Sequence, residues 1–499
     1  MNQQVNKIVV VGGGSAGLIS ALSLKDQLPA CEIVIVRSSR IPVIGVGEST
    51  TSAVPRFLHR NLRLDHGSFY REVKPSWKLG VRLEWGHPDI SHFNYSFDSQ
   101  FDRIEPGMLR GGAYACIDDF MDVGHYSAMM DRALSPLIRM PNGQVIIGEA
   151  HGYHIHNPWF VSYLEGVATG RGISIVDAEV KDVTQLESGN IESIVLTDGH
   201  RIHGDLFIDC SGFPSLLLNR RMGVEWISYA DSVPCDTAIV GNWQRTDEPI
   251  LPYTTAQTMD HGWCWRIDFR DHINRGYVFS SKFASVEDAE AEMRRLNPKL
   301  EADTNIVQFK CGRHQDFWVG NVAALGNAYG FVEPLESTAL QLIIEQARFL
   351  AASLYDADSA IVPAMQRVEN ERARQLWDDV RDFLAVHFKF NRKRTTPFWR
   401  HCQDNTNLAG ASDIVDYYRQ MGPSALSTRL IHQRGVFGYV GYMTLLLGQR
   451  VELDYPHRAS DTDRAIWHAY RNQVRSEITQ SIPMAEAIRM VGSDDWKWA

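Results

Sequence analysis

Six residues near the N-terminus restrict the fold more than any other part of the chain. Gly12-Gly13-Gly14-Ser15-Ala16-Gly17 follows directly on the β-branched run Lys7–Val11 and opens a helical pattern that reaches about Leu28. A second apolar run, residues 32–36, comes next, so the chain opens as a strand, a glycine turn, a helix and a strand. In Gly12-x-Gly14-x-x-Gly17 the first glycine permits the tight turn and the second lets the backbone approach a pyrophosphate. The third allows close helix packing, and the helix N-terminus faces the phosphate charge. The unit predicts dinucleotide binding by Gly12, Gly14, Ser15, Ala16 and Gly17, against a purely structural turn. An acidic residue usually ends the second strand and binds the ribose hydroxyls. Arg37 stands there instead, which either points to the 2′-phosphate of NADP or leaves the ribose to other groups.

No charge occurs between Ile8 and Leu24. With four glycines at its start, this stretch reads as strand, turn and buried helix rather than as a leader or a membrane span. The net charge of −10 argues against a nucleic-acid binder, which needs a basic face. At 44% hydrophobic and 22% charged residues, the composition is that of a globular chain with a large core. The seven cysteines are scattered and form no Cys-x-x-Cys pair. They predict free thiols in a reducing compartment, the cytoplasm, with no membrane attachment.

Further along, residues 41–50 form a glycine-containing loop, and residues 75–85 read as one strand. Residues 157–170 predict a helix, with Asn157 as its cap, Pro158 at its first position and Gly170 at its end. Residues 173–180 predict a strand. Residues 191–196 and 201–208 flank Thr197-Asp198-Gly199, a hairpin signal. Val322–Gly326 is a short strand entering a turn. Beyond Ser359 the pattern is mainly helical. Residues 1–358 are expected to form one body and 359–499 a closely packed helical cap. His154-Ile155-His156 lacks a nearby carboxylate or cysteine partner, so a structural role outweighs a metal site. Arg392-Lys393-Arg394 reads as a solvated surface, and residues 439–447 are too short to span a bilayer.

Four segments together resemble the flavin-dependent tryptophan halogenase family: Gly12–Gly17 with Val46-Gly47-Glu48-Ser49-Thr50; Trp77-Lys78; Gly262-Trp263-Cys264-Trp265-Arg266-Ile267; and Gly326-Asn327-Ala328-Tyr329-Gly330-Phe331-Val332-Glu333-Pro334-Leu335-Glu336-Ser337-Thr338. Their order and spacing match over about the first 340 residues. The paired tryptophans and the Glu-Pro-Leu-Glu-Ser-Thr run are the specific elements, because the glycine turn alone fits any flavin monooxygenase. The resemblance implies an α/β, flavin-monooxygenase-like FAD-binding fold, with a βαβ core and mixed and antiparallel sheets, capped by C-terminal helices. It implies an enzyme that uses reduced FAD, oxygen and chloride or bromide to make hypohalous acid, which travels through an internal tunnel to a lysine beside an aromatic substrate, an indole. A separate flavin reductase would supply the reduced FAD, and the assembly allows a homodimer.

Residue by residue, the resemblance implies FAD contacts at Val46, Gly47, Glu48, Ser49, Val180, Gly326 and Leu335, besides the glycine turn and Arg37. Lys78 and Glu336 would be catalytic, Thr338 and Ala339 the halide site, and Trp263 and Trp265 a wall that keeps the substrate from the flavin. The residue chemistry allows these roles beside plainer ones. A strand lysine either snorkels to water or, if buried, is costly unless partnered or neutral. A carboxylate before a helix suits the macrodipole as well as a cationic ring intermediate. Ala339 stands where relatives often have glycine, and Asp268 where they have a proline after the second tryptophan. Tyr95 and Phe97 occupy the positions of the substrate-sandwiching histidine and phenylalanine. Near the C-terminus Phe437 and Gly441 stand where the family has a tryptophan and an asparagine, and no equivalent of the tyrosine pair and glutamate that grip an amino acid is found, which implies a more open pocket for indole or a larger indole-bearing molecule. An aromatic hydroxylase on the same fold and a non-catalytic flavoprotein are the rival readings. Lys78 with the tryptophan wall argues against the first, and the Lys78–Glu336 pair against the second.

Overall fold

A computed structural model of the chain describes residues 3–41, 48–98, 101, 112–431, 436–455, 459–493 and 496–498. Lys7–Val11 is a strand with Ile8 to Val11 buried. After the glycine turn comes the helix Ser15–Gln27. Its apolar side chains are buried all round, because it packs between the sheet and the helices Asn157–Gly170 and Ala339–Asp356. The charge-free opening stretch is thus a core element. Among the described residues no helix is long and apolar enough to cross a membrane.

The first sheet has six strands in the order Ser174–Asp177, Glu32–Arg37, Lys7–Val11, Leu206–Asp209, Val322–Ala324 and Trp318–Val319. The first five are parallel and the last is antiparallel to its neighbour. From Lys7–Val11 the chain passes to one side, and it returns with Leu206–Asp209 on the other. The carboxyl ends of these two strands therefore flank a crevice at the point where strand order reverses, the usual ligand position in open α/β sheets.

The second sheet has seven strands in the order Asn305–Gln308, Thr237–Gln244, His272–Phe279, Gly262–Asp268, Thr254–Thr258, Gly80–Glu84 and Phe93–Ser96. It is antiparallel except where Thr254–Thr258 runs parallel to Gly80–Glu84. A small sheet joins Glu48–Ser49, Gly152–Ile155 and Ser76–Lys78. The single strand expected over residues 75–85 is broken at Leu79, whose N–H donates to the Pro252 carbonyl and whose own carbonyl accepts from Phe97 N–H. Ser76–Lys78 belongs to the small sheet and Gly80–Glu84 to the large one, so Lys78 sits at the seam between them.

Two other expected strands also divide. Residues 173–180 split into Ser174–Asp177 and the start of Val180–Gln185. The second hairpin arm pairs only over Arg201–His203. The Asp205 carboxylate then accepts from the Asn6 and Lys7 N–H groups and steers the chain into the parallel sheet at Leu206. The helix over 157–170 forms as expected, but His156 is its cap. Asn157 lies in the first turn and accepts a 2.9 Å hydrogen bond from Ser15 Oγ.

Beyond residue 359 the chain is mainly helical, led by the 28-residue helix Pro363–Phe390. The late strand Ser481–Pro483 returns to pair with Leu134–Arg139. Gly438–Gly448 is a mostly buried helix. Arg392 pairs with Glu452, and Arg394 with Asp260. All seven cysteines are free, and all but Cys210 are buried.

Candidate active site

The crevice at the sheet's carboxyl edge is built by glycines with no room for a side chain. Gly12 has φ +117°, and a Cβ there would lie 2.2 Å from the Cys210 carbonyl oxygen; at Gly17 it would lie 1.9 Å from the Gly12 oxygen. Gly14 differs, because nothing lies within 4 Å of the Cβ position. It is the N-cap of the Ser15–Gln27 helix, with no side-chain cap bond and no acidic residue in the first turn. A helix N-terminus with open donors and free space in front of it fits the pyrophosphate of a dinucleotide such as FAD. Gly326, at φ +62°, closes the same crevice: its Cβ position is 3.0 Å from Ala16 Cβ.

Arg37 lies across Gly13, and its guanidinium is paired with Glu165 at 2.9 Å and Asp177 at 3.4 Å. Those two carboxylates already neutralise it, which weakens the case for a 2′-phosphate partner. Glu48 and Ser49 form the edge strand of the small sheet. Burial pushes the Glu48 carboxyl up to about 7. Val180 begins its strand, half-buried, and Leu335 is fully buried. Val46 and Gly47 lie outside the described residues.

Lys78 has 0% exposure. Its Nζ donates to Ser337 Oγ at 2.7 Å and lies 5.2 Å from the centre of the Phe97 ring. Burial pushes the ammonium down to about 7, while the Glu336 carboxylate pulls the other way. Glu336 ends the short 3-10 turn Pro334–Glu336, which Ser337 closes in the left-handed conformation at φ 60°. Thr338 is the N-cap of the helix Ala339–Asp356 and makes no side-chain cap bond, so Thr338 and Ala339 stand where an anion would meet helix N–H groups. Proline at the start of the turn and a left-handed residue at its end fold this segment sharply enough to turn Ser337 onto Lys78.

Trp263 and Trp265 share one face of the strand Gly262–Asp268, with ring centres 6.0 Å apart, and both are buried. Trp265 Nε1 donates to Asn274 Oδ1 at 2.8 Å. Its ring covers Gly276 on the adjacent strand, where a Cβ would lie 1.9 Å from Cζ2. Asp268 does not disturb the strand's end. Its buried carboxylate is held by Arg245 at 2.7 Å and Arg266 at 3.0 Å. Glu333 is buried beside Trp263 and Cys235, and burial pushes its carboxyl up to about 8 while the indole and the thiol pull the other way.

Tyr95 and Phe437 meet through a residue that sequence reasoning passed over. Phe383 stacks on Phe437 at 3.7 Å and lies 6.0 Å from Tyr95. Gly441 admits the Tyr95 hydroxyl, which would be 2.8 Å from a Cβ there. His387, one helical turn beyond Phe383, reaches Glu336: its Nε2 is 2.7 Å from Oε1, with both side chains buried. A lone histidine inside the apolar run Phe383–Phe388 was the available signal. Asp379 and Asp382, on the same helix, line a cavity of about 40 Å³ beside Phe437 and Tyr442. His154 is buried and bonded to Thr254, and among the described residues no group of His, Cys, Asp and Glu side chains could hold a metal ion.

Comparisons with known proteins bear on this arrangement. The family model described as Tryptophan halogenase matches residues 7–464. A 7-chloro-L-tryptophan 6-halogenase, KtzR of Kutzneria sp. (strain 744), is 30% identical over 474 residues, spanning 88% of this chain and 90% of that protein. Among solved structures, MibH, described as a lathipeptide tryptophan 5-halogenase, superposes with a TM-score of 0.89 at 33% identity, over 98% of this chain and 94% of that one. Xcc4156, a flavin-dependent halogenase from Xanthomonas campestris, gives a TM-score of 0.86 at 26% identity, over 97% and 98%.

Proposed function

Because the chain belongs to the tryptophan halogenase family and is a flavin-dependent halogenase, we propose that it halogenates an indole ring held beside Lys78 and Glu336. One observation carries this reading: a lysine wholly withdrawn from water, bonded to Ser337 at 2.7 Å and facing a buried carboxylate. Such a cation is costly unless it is partnered or gives up its proton, and either state serves the reaction.

Bound reduced FAD, with oxygen and chloride or bromide, supplies hypohalous acid. Gly12, Gly14, Ser15, Ala16, Gly17 and Gly326, with Glu48, Ser49, Val180 and Leu335, would hold the dinucleotide. Thr338 and Ala339 would present helix N–H groups to the halide. Lys78 would then hold the electrophile, either as an ammonium donating to the acid's oxygen or as a neutral amine. In the second case one N–H bond is replaced by nitrogen–halogen and water leaves. Ring attack creates a cationic intermediate, which the Glu336 carboxylate stabilises until the ring proton departs. Trp263 and Trp265 keep the ring on the lysine side, which disfavours an aromatic hydroxylase. Tyr95, Phe97 and Phe437 supply apolar walls for an indole, free or carried on a larger molecule. A separate reductase would provide reduced FAD, since the sequence has no second nucleotide fingerprint.

The test is to incubate the protein with a flavin reductase, FAD, NADH and chloride or bromide, offering indole or tryptophan, and to look for halogen isotope patterns by mass spectrometry. Halogenated product is expected, and Lys78→Ala should abolish it while FAD binding persists. Hydroxylated product alone, or steady NADH oxidation without the reductase, would overturn the reading.

A further inference from the structure

We propose that His154 is a positioning residue for Lys78, acting through a buried relay of three hydroxyls, Ser337, Ser49 and Thr254. The proposal rests on the catalytic reading of Lys78 given above. Lys78 Nζ donates to Ser337 Oγ at 2.7 Å, and Ser337 Oγ donates to Ser49 Oγ at 3.0 Å. Ser49 Oγ is 2.7 Å from Thr254 Oγ1, which is 2.9 Å from His154 Nε2. Lys78 and His154 are fully buried, Ser337 and Thr254 nearly so, and Ser49 is half-buried. Three strands of the small sheet supply Ser49, Lys78 and His154, and His154 lies opposite Ser49 in the register. Thr254 comes from the large sheet, and Ser337 from the left-handed turn after Glu336.

The direction of this chain follows from donor and acceptor inventory. An ammonium has only donors, so Ser337 Oγ must accept from it. A hydroxyl donates only once, so the orientation that spends every hydroxyl hydrogen inside the run has each accept on the Lys78 side and donate on the other, and it ends on an acceptor. A neutral imidazole with its hydrogen on Nδ1 offers Nε2 for that purpose. Burial, then the Lys78 charge and the Arg245 charge, hold His154 near 3, while the Asp268 carbonyl beside it pulls the other way. The imidazole is therefore neutral throughout the working range. All four bonds point away from Lys78 and polarise one another.

The reverse orientation would make Ser337 a donor, and its only use at Lys78 would be to cap the lone pair of the neutral amine. That lone pair must attack the halogen if a haloamine forms. By accepting at the far end, His154 keeps Ser337 an acceptor. It thereby leaves Lys78 facing the substrate with its remaining N–H bonds or its lone pair. The charged groups facing the relay are Glu336 at the Lys78 end and Arg245 at the His154 end.

The experiment is the pH profile of halogenation by the full-length enzyme, with reductase, FAD and bromide present, on indole. Thr254→Val cuts the relay at nearly constant shape, and His154→Leu removes its terminal acceptor. FAD binding, followed by fluorescence, checks that each variant is folded. Either substitution withdraws hydrogen-bond support from the ammonium, so the limb set by Lys78 should move to lower pH by about one unit. Thr254→Ser and His154→Gln, which retain a hydroxyl and an acceptor, should restore it. His154→Leu added to Thr254→Val should give no further movement, because both cut one chain. A Thr254→Val profile that superimposes on the parent's would overturn the relay while leaving the role of Lys78 intact. A Lys78→Ala enzyme that still halogenates would overturn both.

Discussion

Gly276→Ala should unseat Trp265 and so breach the wall proposed between flavin and substrate. Gly276 and Trp265 are directly paired across adjacent strands, and the indole lies flat over the glycine. An added Cβ would fall 1.9, 2.1 and 2.3 Å from Cζ2, Cη2 and Cε2, about 1.6 Å short of the separation at which carbon atoms attract. Neither strand can yield, because both are paired on each side in the interior of the seven-stranded sheet. The ring must swing instead, and it then loses its bond to Asn274 Oδ1. Overpacking of this kind costs about 1–3 kcal/mol, and the lost bond about 1 kcal/mol more, so the fold should be destabilised by about 2–4 kcal/mol. Urea denaturation of the FAD-bound protein measures this. The product profile on indole, with the reductase present, measures the consequence: hydroxylated or oxidised indole should accompany a reduced yield of halogenated product. Unchanged stability would refute the packing argument. Lost stability with a purely halogenated product at normal yield would refute the role of the wall.

Three further expectations follow from the same geometry. Folded Lys78 titrates near 7 and unfolded lysine near 10.5; the unfolded chain therefore binds the extra proton between those values, and the lysine's contribution should raise stability with pH across that window. Lys78→Met should flatten that slope in denaturation curves taken from pH 7 to 10, and an unaltered slope would show that the lysine is not desolvated. His387→Leu removes the imidazole that lies 2.7 Å from the buried Glu336 carboxylate, which should cost about 1–3 kcal/mol, the scale for leaving a buried acceptor without a polar neighbour, and halogenation should fall while FAD binding persists; wild-type stability would mean that the contact carries nothing. Indole should be turned over at least as well as tryptophan, because the apolar walls proposed at Tyr95, Phe97 and Phe437 do not read a side chain. A tryptophan preference of about 100-fold in kcat/KM, the scale of pocket discrimination, would reveal an amino-acid clamp, for which Asp379 and Asp382 beside Phe437 would be the first residues to test.

The dinucleotide half was legible because its determinants are local. A glycine with φ +117° against a carbonyl, or a helix that opens without a cap, is written in a few consecutive residues, and the spacing states what the backbone must do. The pairing of the two tryptophans was legible for a similar reason, since alternation along a strand puts Trp263 and Trp265 on one face. The surroundings of Lys78 were not legible from the residues alone. The strand that carries it ends at Leu79 because Pro252 and Phe97 take its backbone hydrogen bonds, and neither partner is visible from the local pattern.

Several of the polar groups that meet Lys78 and Glu336 come from segments far apart in the chain. Ser337 lies 259 positions from Lys78, Thr254 lies 205 from Ser49, and His387 sits on a helix of the C-terminal region, opposite Glu336. Such partners leave no periodic trace, because a hydroxyl on a strand or a histidine on a buried helix face obeys the same pattern whether or not it meets anything. Asn157 makes the point from the other side. Its residue type predicted a helix cap by local rules, yet the carboxamide serves Ser15 in the glycine turn, 142 positions away. Where a polar side chain has both a local use and a distant partner, burial decides between them: an exposed cap can be replaced by water, whereas a buried hydroxyl left unpaired cannot. Asn157, Ser337 and His387 are buried polar groups whose partners the local pattern does not show, and for that reason they repay mutation first.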